Sequence, residues 1–352
     1  MTHILFSCAG RRAYLLQYFR RQLDIRGGGK IIATDMQSIA PALASADIVE
    51  QVPGVFAPDY IERLLQICRR HSVAAIISLN DLELPILARH KQQFIEIGTL
   101  PIVSSQQVID ICADKVLTAQ WLCDNGFKTP ITCTSLSQAS EMLNSGALHF
   151  PLVVKPRWGS GSIAVEIVHD AEELLYAYQL AKKKVMRSIL AHQSAQAHDY
   201  IIIQQCIDGI EYGIDVINDL QGTNITASVK LKIAMRAGET DKAITVDNPT
   251  LRQLAQSIGQ KLQHIGNLDI DIFAATDGEY YVLEMNPRFG GGFPFSYEAG
   301  VNLPGAIIEW LHGHDAADVN LSATPAVAHA KCDHLVRIHP DRLPPHRAQH
   351  HV

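Results

Sequence analysis

The chain has 352 residues, of which 47% are hydrophobic and 19% are charged, and its net charge is −6. A chain of this length and polarity can bury two or three sizeable cores, which argues against an intrinsically disordered protein. The acidic balance argues against a nucleic-acid-binding surface, and the lack of any run of ~18 apolar residues argues against a membrane span.

The cysteines, the N-terminus and the histidines bear on compartment and metal binding. The seven cysteines are scattered, and no two of them form a CxxC pair. This pattern favours reduced thiols in a cytoplasm over a disulfide framework or a zinc site. Arg11 and Arg12 interrupt the first apolar stretch, so we expect no signal peptide. The sixteen histidines show no ligand spacing tied to a fold, and those near the C-terminus are expected to be solvated.

The first hundred residues alternate between strand-like and helix-like segments. Strands are predicted at 2–8, 30–34 and 74–79, and helices at 11–23 and 60–71. This alternation predicts a parallel sheet with helical crossovers, as in a Rossmann-like domain. The turn after the first strand reads CAGRR and lacks GxGxxG, so an NAD-dependent oxidoreductase is poorly supported.

Three polar residues follow the strand at 74–79, namely Asn80, Asp81 and Glu83. Ligands of open α/β sheets gather at the carboxyl ends of strands, which makes these residues candidates for substrate contact. In the alternative interpretation, Asp81 caps the helix that begins near Leu82.

Residues 106–127 are predicted to form one long helical region that Gly126 ends, with Pro130 beyond it. Lys115 lies within it. Taken alone, Lys115 is more simply explained as one exposed helix charge among many.

The segment PLVVKPRWGSGSIAVEIV at 151–168 predicts two strands around a glycine–serine turn. Such a turn offers backbone N–H groups to a phosphate, and Lys155 adds a cation from the preceding strand. The alternative is an ordinary hairpin loop. The turn is not a Walker A loop, because no GxxxxGK[ST] occurs.

Residues 200–217 predict two strands around Asp208-Gly209, and residues 226–245 predict a strand that breaks at 236–239. Four cations cluster around this break: Lys230, Lys232, Arg236 and Lys242. They could clamp an acyl phosphate or a carboxylate substrate. For Lys232, a solvated strand position is an equal explanation.

The stretch LDIDIFAATDGEYYVLEMNPRFGGG predicts a hairpin that turns at Asp277-Gly278. Asp271 and Glu284 are expected to approach each other across this ladder, with Asn286 two residues further on. Two carboxylates and an amide oxygen suit Mg²⁺, and the adjacent Arg288 suits a phosphoryl group. The alternative is an acidic hairpin end followed by a glycine turn.

Together these motifs occur in the order seen in the ATP-grasp superfamily, the carboxylate–amine ligases related to carbamoyl phosphate synthetase. EMNPRFGGG resembles the metal-binding signature of that superfamily, and V-K-P with GSGS resembles its phosphate loop. The agreement in order across the chain carries this resemblance. It looks most like a single-unit carbamoyl-phosphate-synthase-like protein.

The resemblance implies an α/β fold in which a Rossmann-like domain at 1–105 precedes an ATP-grasp domain. That domain would consist of a small subdomain with the glycine-rich loop at 106–195 and a nucleotide- and metal-binding subdomain at 196–315. A C-terminal extension at 316–352 is expected to be partly disordered.

The resemblance also implies a role for each candidate residue. The nucleotide-binding residues would be Lys115, Lys155, Gly159, Ser160, Gly161, Ser162, Gln205, Ile207 and Glu211. The metal ligands would be Asp271, Glu284 and Asn286, and the catalytic cations Arg288, Lys155 and Arg236. Substrate contacts would come from Asn80, Asp81, Glu83, Lys230, Lys242 and Gly291. Family members often have glutamate where Gln205 stands, and an amide there can still accept the adenine amino group.

The expected reaction joins a small-molecule carboxylate to an amine with ATP and Mg²⁺, or Mn²⁺, through an acyl phosphate that releases ADP and phosphate. An amino acid, a small peptide and a sugar acid remain open as substrates. Two alternatives are an ATP-binding module without ligase activity and a carboxylate kinase or carboxylase-type relative. Related ligases are commonly homodimers.

Overall fold

Three β-sheets organise the computed structural model, which describes residues 1–159, 161, 163–194 and 198–338. The first sheet has five parallel strands, and the other two, of four and six strands, are antiparallel. The mixed α/β architecture predicted from the sequence is therefore confirmed. None of the helices within these ranges is long and apolar enough to cross a membrane.

The N-terminal domain is the alternating unit that the sequence predicts. Its elements are β1 (His3–Ser7), α1 (Ala13–Ile25), β2 (Ile31–Asp35), β3 (Ile48–Gln51), α2 (Tyr60–His71), β4 (Val73–Ser78), α3 (Leu84–Ile95) and β5 (Leu100–Pro101). The strand order is β3-β2-β1-β4-β5. Both faces of this sheet are covered, as parallel sheets require: Phe6 packs against α1 on one side, and Leu5 packs among α2 and α3 on the other.

The middle of the chain forms the four-stranded sheet and its helices. Its elements are α4 (Gln106–Ala113), α5 (Lys115–Asp124), β6 (Thr132–Cys133), α6 (Leu136–Asn144), β7 (Leu152–Pro156), β8 (Glu166–Val168), α7 (Ala171–Met186), α8 (Ala191–Ser194) and β9 (Ile201–Gln205). The two strands predicted within 151–168 are present, although β8 is shorter than its apolar run. The strand order is β6-β9-β7-β8.

The helical region predicted at 106–127 is present, but Asp114 divides it into α4 and α5. Asp114 has extended backbone angles, and its Oδ1 accepts a hydrogen bond from the Val116 N–H at 2.9 Å, which caps α5. The same carboxylate pairs with Arg157, whose Nε lies 2.8 Å from Oδ1. The break therefore depends on a partner 43 residues away, which helix propensity does not reveal.

The last part of the chain forms the six-stranded sheet. Its elements are β10 (Gly209–Asn218), β11 (Asn224–Arg236), β12 (Glu239–Thr245), α9 (Pro249–Leu262), β13 (Gly266–Ala275), β14 (Tyr280–Asn286), α10 (Phe293–Glu298), α11 (Leu303–Leu311) and β15 (Ala328–Ala330). The order is β14-β13-β10-β11-β12-β15. The predicted hairpin at Asp277-Gly278 is confirmed as β13–β14. Beyond the last predicted helix, β15 pairs with β12, so this part of the expected extension is ordered on the sheet edge.

His264 ties this sheet to α9 and gives it a pH-dependent stability. It is 0% exposed, and its Nε2 lies 3.0 Å from the Val216 carbonyl oxygen. Burial lowers the pKa of His264 to about 4, against the opposing hydrogen bond to Val216. Because the unfolded chain titrates near 6.5, the stability that neutral His264 contributes is fully present above that pH and is lost as pH falls through about 4.

We therefore expect His264→Phe to flatten the acid side of the stability profile. In the wild-type protein, protonation of His264 lowers the free energy of unfolding by about 3 kcal/mol between pH ~7.5 and ~4. The variant lacks this pH dependence, but it is about 1 kcal/mol less stable at neutral pH because it lacks the hydrogen bond to Val216. Urea unfolding between pH ~4 and ~7.5 measures both effects. His329→Phe, at an exposed histidine of β15, should keep the wild-type profile; an unchanged acid slope in His264→Phe would contradict the assignment.

Candidate functional site

One face of the six-stranded sheet carries charged side chains from four neighbouring strands. Asp271 of β13 is the register partner of Glu284 of β14, so the predicted approach of these carboxylates is confirmed. Lys232 of β11 lies with its Nζ 2.6 Å from Asp271 Oδ1 and 2.7 Å from Glu211 Oε1. Lys232 crosses β10 above Gly213, where an added β-carbon would lie only 3.1 Å from Lys232 Cε.

The proton affinities of these groups reflect their burial and their charged neighbours. Burial raises the pKa of Asp271 to about 7, and the Lys232 ammonium only partly opposes this rise. Burial also acts to raise the pKa of Glu284, but the cations Lys115 and Lys155 outweigh it and the net shift is downward. The two paired carboxylates thus differ: burial disfavours the charged form of Asp271, whereas the two lysines stabilise the charged form of Glu284.

Two lysines approach this face from the four-stranded sheet and its helices. Lys155 on β7 is 6% exposed, and burial, helped by the nearby Lys115, lowers the pKa of Lys155 to about 8. Lys115 is the first residue of α5, and its Nζ donates a hydrogen bond to the Gly159 carbonyl at 2.6 Å. Both cations act electrostatically on Glu284, so they belong to the same site as the carboxylates.

The glycine-rich loop touches the tip of the β11–β12 hairpin. A β-carbon on Gly238, whose φ is +76°, would lie 2.8 Å from the carbonyl carbon of Gly161. The loop and the hairpin tip are therefore in direct contact at Gly161 and Gly238. Ser160 and Ser162, which the sequence also assigns to the nucleotide, lie outside the described residues.

Arg288, which follows β14, joins the six-stranded sheet to the N-terminal domain at this site. Its Nε and NH2 groups donate to Asp81 Oδ1 and Oδ2 at 2.7 and 2.8 Å, and its NH1 lies 3.8 Å from Asp269 Oδ2. Burial acts to lower the pKa of Arg288, but the ion pair with Asp81 outweighs burial, so the pKa lies above its ordinary value. Asp81 is thus a partner of Arg288 and does not act as the helix cap considered from the sequence.

Two residues expected to contact substrate are instead buried in structural networks. Glu83 is 0% exposed and accepts hydrogen bonds from the hydroxyls of Ser7, Ser78 and Tyr60. The Glu83 carboxyl is thus buried and already hydrogen-bonded within the N-terminal domain. This corrects the expectation that Glu83 contacts substrate.

Lys230 is the second correction. It is 1% exposed and forms an ion pair with the buried Asp215, with Ser296 Oγ at 3.1 Å. Lys230 and Lys232 lie two residues apart on β11 and have different partners: Lys230 is buried against Asp215 and Ser296, and Lys232 contacts Glu211 and Asp271.

The remaining candidates come from several parts of the chain. Asn80 Oδ1 accepts from Leu82 N–H at 3.0 Å, and Asn286 Nδ2 lies 3.4 Å from Glu284 Oε1. Arg236, half exposed, pairs with Asp241 and Asp333. The other two are the exposed Lys242 on β12 and Gly291, which packs against the Glu239 side chain.

Gln205 is the last residue of β9, and Ile207 lies on the connection that leads to β10 in the other antiparallel sheet. Gln205 Oε1 accepts a hydrogen bond from Ile131 N–H at 3.3 Å. This side chain is therefore already used to hold the β6–β9 edge.

Asp271, Glu284 and Asn286 form a donor set that fits Mg²⁺. They supply two carboxylates and an amide oxygen from one strand pair, which are the hard oxygen ligands that this ion prefers. Burial raises the pKa of Asp271 even with Lys232 beside it, so this lysine alone does not offset the cost of burying the carboxylate charge. A divalent cation would compensate that charge.

Comparison with known families agrees with this geometry. Residues 112–292 match the family model described as ATP-grasp domain, and residues 4–102 match a model described as PylC-like, N-terminal domain. The first match spans more than half of the chain. The protein therefore belongs to the ATP-grasp family, as the sequence motifs predicted.

Curated relatives point the same way at low identity. The carbamoyl phosphate synthase large chain of Gemmatimonas aurantiaca is 23% identical over 301 residues, which are 82% of this chain and 26% of the relative. That of Neisseria meningitidis serogroup B is 25% identical over 281 residues, which are 77% of this chain and 25% of the relative. The chain thus spans about a quarter of the length of these relatives.

Solved structures share the fold. The biotin carboxylase domain of the 2-oxoglutarate carboxylase of Hydrogenobacter thermophilus, solved with MgADP and bicarbonate, matches with a TM-score of 0.71 and 17% identity, over 91% of this chain and 72% of that one. An L-amino acid ligase from Bacillus licheniformis matches with a TM-score of 0.67 and 19% identity, over 92% and 78%. At these identities the likeness supports the fold.

We expect Lys232→Met to destabilise the protein by up to about 3 kcal/mol, because it leaves Glu211 and Asp271 without their shared cation in a largely buried setting. Lys242→Met, on the neighbouring strand but exposed, should change stability by less than about 0.5 kcal/mol. Urea midpoints of the two variants measure the difference. Equal midpoints would show that Lys232 is not holding the carboxylates.

Proposed function

We propose that this protein is an ATP-dependent ligase that joins a carboxylate to an amine through an acyl phosphate. The observation that supports it best is the pairing of Asp271 with Glu284 beneath the two cations Lys115 and Lys155. Acids on one wall and ammonium groups on the other suit a phosphate chain with its metal ion. A hydride-transfer or purely structural site would not need this arrangement.

In this proposal Asp271, Glu284 and Asn286 hold Mg²⁺, or Mn²⁺, which would offset negative charge on the phosphate oxygens. Lys155, Lys115 and the glycine-rich loop at 159–162 bind the phosphates. Binding would transfer the Lys115 ammonium from the Gly159 carbonyl to a phosphate oxygen.

The nucleoside end of ATP is assigned to the connection between the two antiparallel sheets. Because the side chain and the backbone N–H of Gln205 both bond Ile131, we assign adenine recognition to the Gln205 carbonyl and to the backbone of Ile207. Glu211 would accept hydrogen bonds from the ribose hydroxyls, while the ion pair with Lys232 holds the Glu211 carboxylate in position. This arrangement leaves adenine specificity to main-chain groups.

The chemistry has two steps, and positioning and charge carry both. A substrate carboxylate oxygen attacks the γ-phosphorus, and the bond from phosphorus to the ADP oxygen breaks. The amine nitrogen then attacks the acyl carbon, phosphate leaves with the bonding electrons, and the amine proton passes to solvent or phosphate. Arg288, oriented by Asp81, offsets charge on the transferring group.

The other cations are assigned to the substrate side of the cleft. Arg236 would reach the reacting groups only by leaving Asp241 and Asp333, so its catalytic role is subordinate to Arg288 and Lys155. Lys242 and Gly291 are assigned to the same side. The substrates are a small carboxylate and an amine, and the protein is expected to act in the cytoplasm as a homodimer.

Phosphate release from ATP tests the proposal directly. The protein is assayed with Mg²⁺ against amino acids, small peptides, sugar acids and bicarbonate, each alone and with amines. A carboxylate and an amine that stimulate release together identify a ligase, and mass spectrometry of the product identifies the new amide. Release with bicarbonate or a carboxylate alone would point to a carboxylase-type or kinase reaction instead.

We expect Glu284→Gln to lower ATP-dependent phosphate release by about 100-fold or more, because one metal-binding charge is lost from the transition state. Glu279→Gln, at an exposed position of the same hairpin, is the matched control and should retain activity. The thermal midpoints of both variants should stay near wild type. Near-normal turnover in Glu284→Gln would remove the metal assignment.

A further inference from the structure

The C-terminal end of α11 carries a glutamate and two histidines that the proposed ligase reaction does not use. Glu309 lies in the last turn of the helix, His312 caps it, and His314 follows Gly313. Gly313 has φ of +76°, a conformation that glycine adopts without strain. The chain therefore folds back, and His314 N–H donates to the Glu309 carbonyl at 3.0 Å.

This turn brings three potential ligands together. One ligand atom from each of Glu309, His312 and His314 lies within 4.8 Å of the other two. Glu309 Oε2 is 3.0 Å from His314 Nδ1. A closing movement of about an ångström would bring such atoms to the separations found around a tetrahedral ion, whose bonds are roughly 2.0–2.2 Å long.

We propose that Glu309, His312 and His314 bind one transition-metal ion of the Zn²⁺ type. Two imidazole nitrogens and one carboxylate oxygen match the borderline ligand preference of Zn²⁺, Co²⁺ and Ni²⁺. Mg²⁺ prefers oxygen ligands, so this site and the Asp271–Glu284 site select different ions. Water completes the coordination.

Neighbouring residues support the ligands from outside. Arg26 Nε lies 2.9 Å from Glu309 Oε1, which leaves Oε2 on the histidine side for the ion. Thr2 Oγ1 lies 2.5 Å from His312 Nε2 and fixes that ring. Such outer contacts orient the ligands of established metal sites.

The competing explanation is a simple ion pair between Glu309 and His314. An ion pair alone predicts no specific metal binding at this turn, whereas the proposed site predicts one metal ion per chain, bound with an affinity that depends on both side chains. In the proposed site, a metal ion takes the place of the proton that Glu309 and His314 share. Because α11 packs against α1 of the N-terminal domain, binding would also raise the thermal midpoint.

The test is a calorimetric titration of the full chain with Zn²⁺, carried out in excess Mg²⁺ so that oxygen-ligand sites are saturated. We expect one Zn²⁺ per chain and at least about tenfold weaker binding in His314→Ala and in Glu309→Gln. His314 is largely exposed, so its replacement should leave folding intact. Visible absorption of added Co²⁺ gives an independent sign of nitrogen coordination.

Two controls separate this site from other histidines. His329→Ala alters an exposed histidine of β15, and a triple alanine variant removes His346, His350 and His351 from the C-terminal segment. Both should keep the wild-type affinity. Binding that survives in His314→Ala and Glu309→Gln, or that disappears in the triple variant, would overturn the proposal.

Discussion

The cleft depends on the register of the six-stranded sheet. Asp271 and Glu284 face each other across β13 and β14, and Lys232 reaches Asp271 across Gly213, where a β-carbon would crowd the lysine side chain. A slip of one residue in any of these strands would turn its charged side chain to the opposite face, which is packed against α9. The buried apolar face thus fixes where the charges of the site lie.

A balance of charge follows from that register. Each acid on this face has a cation within reach, yet burial still raises the pKa of Asp271 to about 7. Burial also lowers the pKa of Lys155 to about 8. Both shifts indicate groups whose charged forms are incompletely stabilised by the protein alone. A phosphate chain with its metal ion would supply the missing positive and negative partners at once.

The sequence was most informative where partners are close along the chain. The Asp277-Gly278 turn is enough to bring Asp271 opposite Glu284, because a tight turn sets the register of its own hairpin. Glu83 could not be assigned this way, since Ser7 and Tyr60 reach it from other elements. For Lys232, the alternation along β11 was visible, but the missing information was that Gly213 lies between it and its acid.

The pair between Arg288 and Asp81 shows how the domains share one site. Both oxygens of Asp81 are used, so the ion pair fixes the plane of the guanidinium as well as its position. Asp81 follows β4 of the parallel sheet, whereas Arg288 follows β14 of the antiparallel one. Any displacement of one domain relative to the other would therefore rotate or release Arg288. Because Arg288 also lies near Asp269, such a release would change the charge balance of the whole cleft. Docking of the N-terminal domain is thus a requirement for the charge arrangement on which the proposed phosphoryl transfer depends, in addition to any contact that this domain makes with substrate.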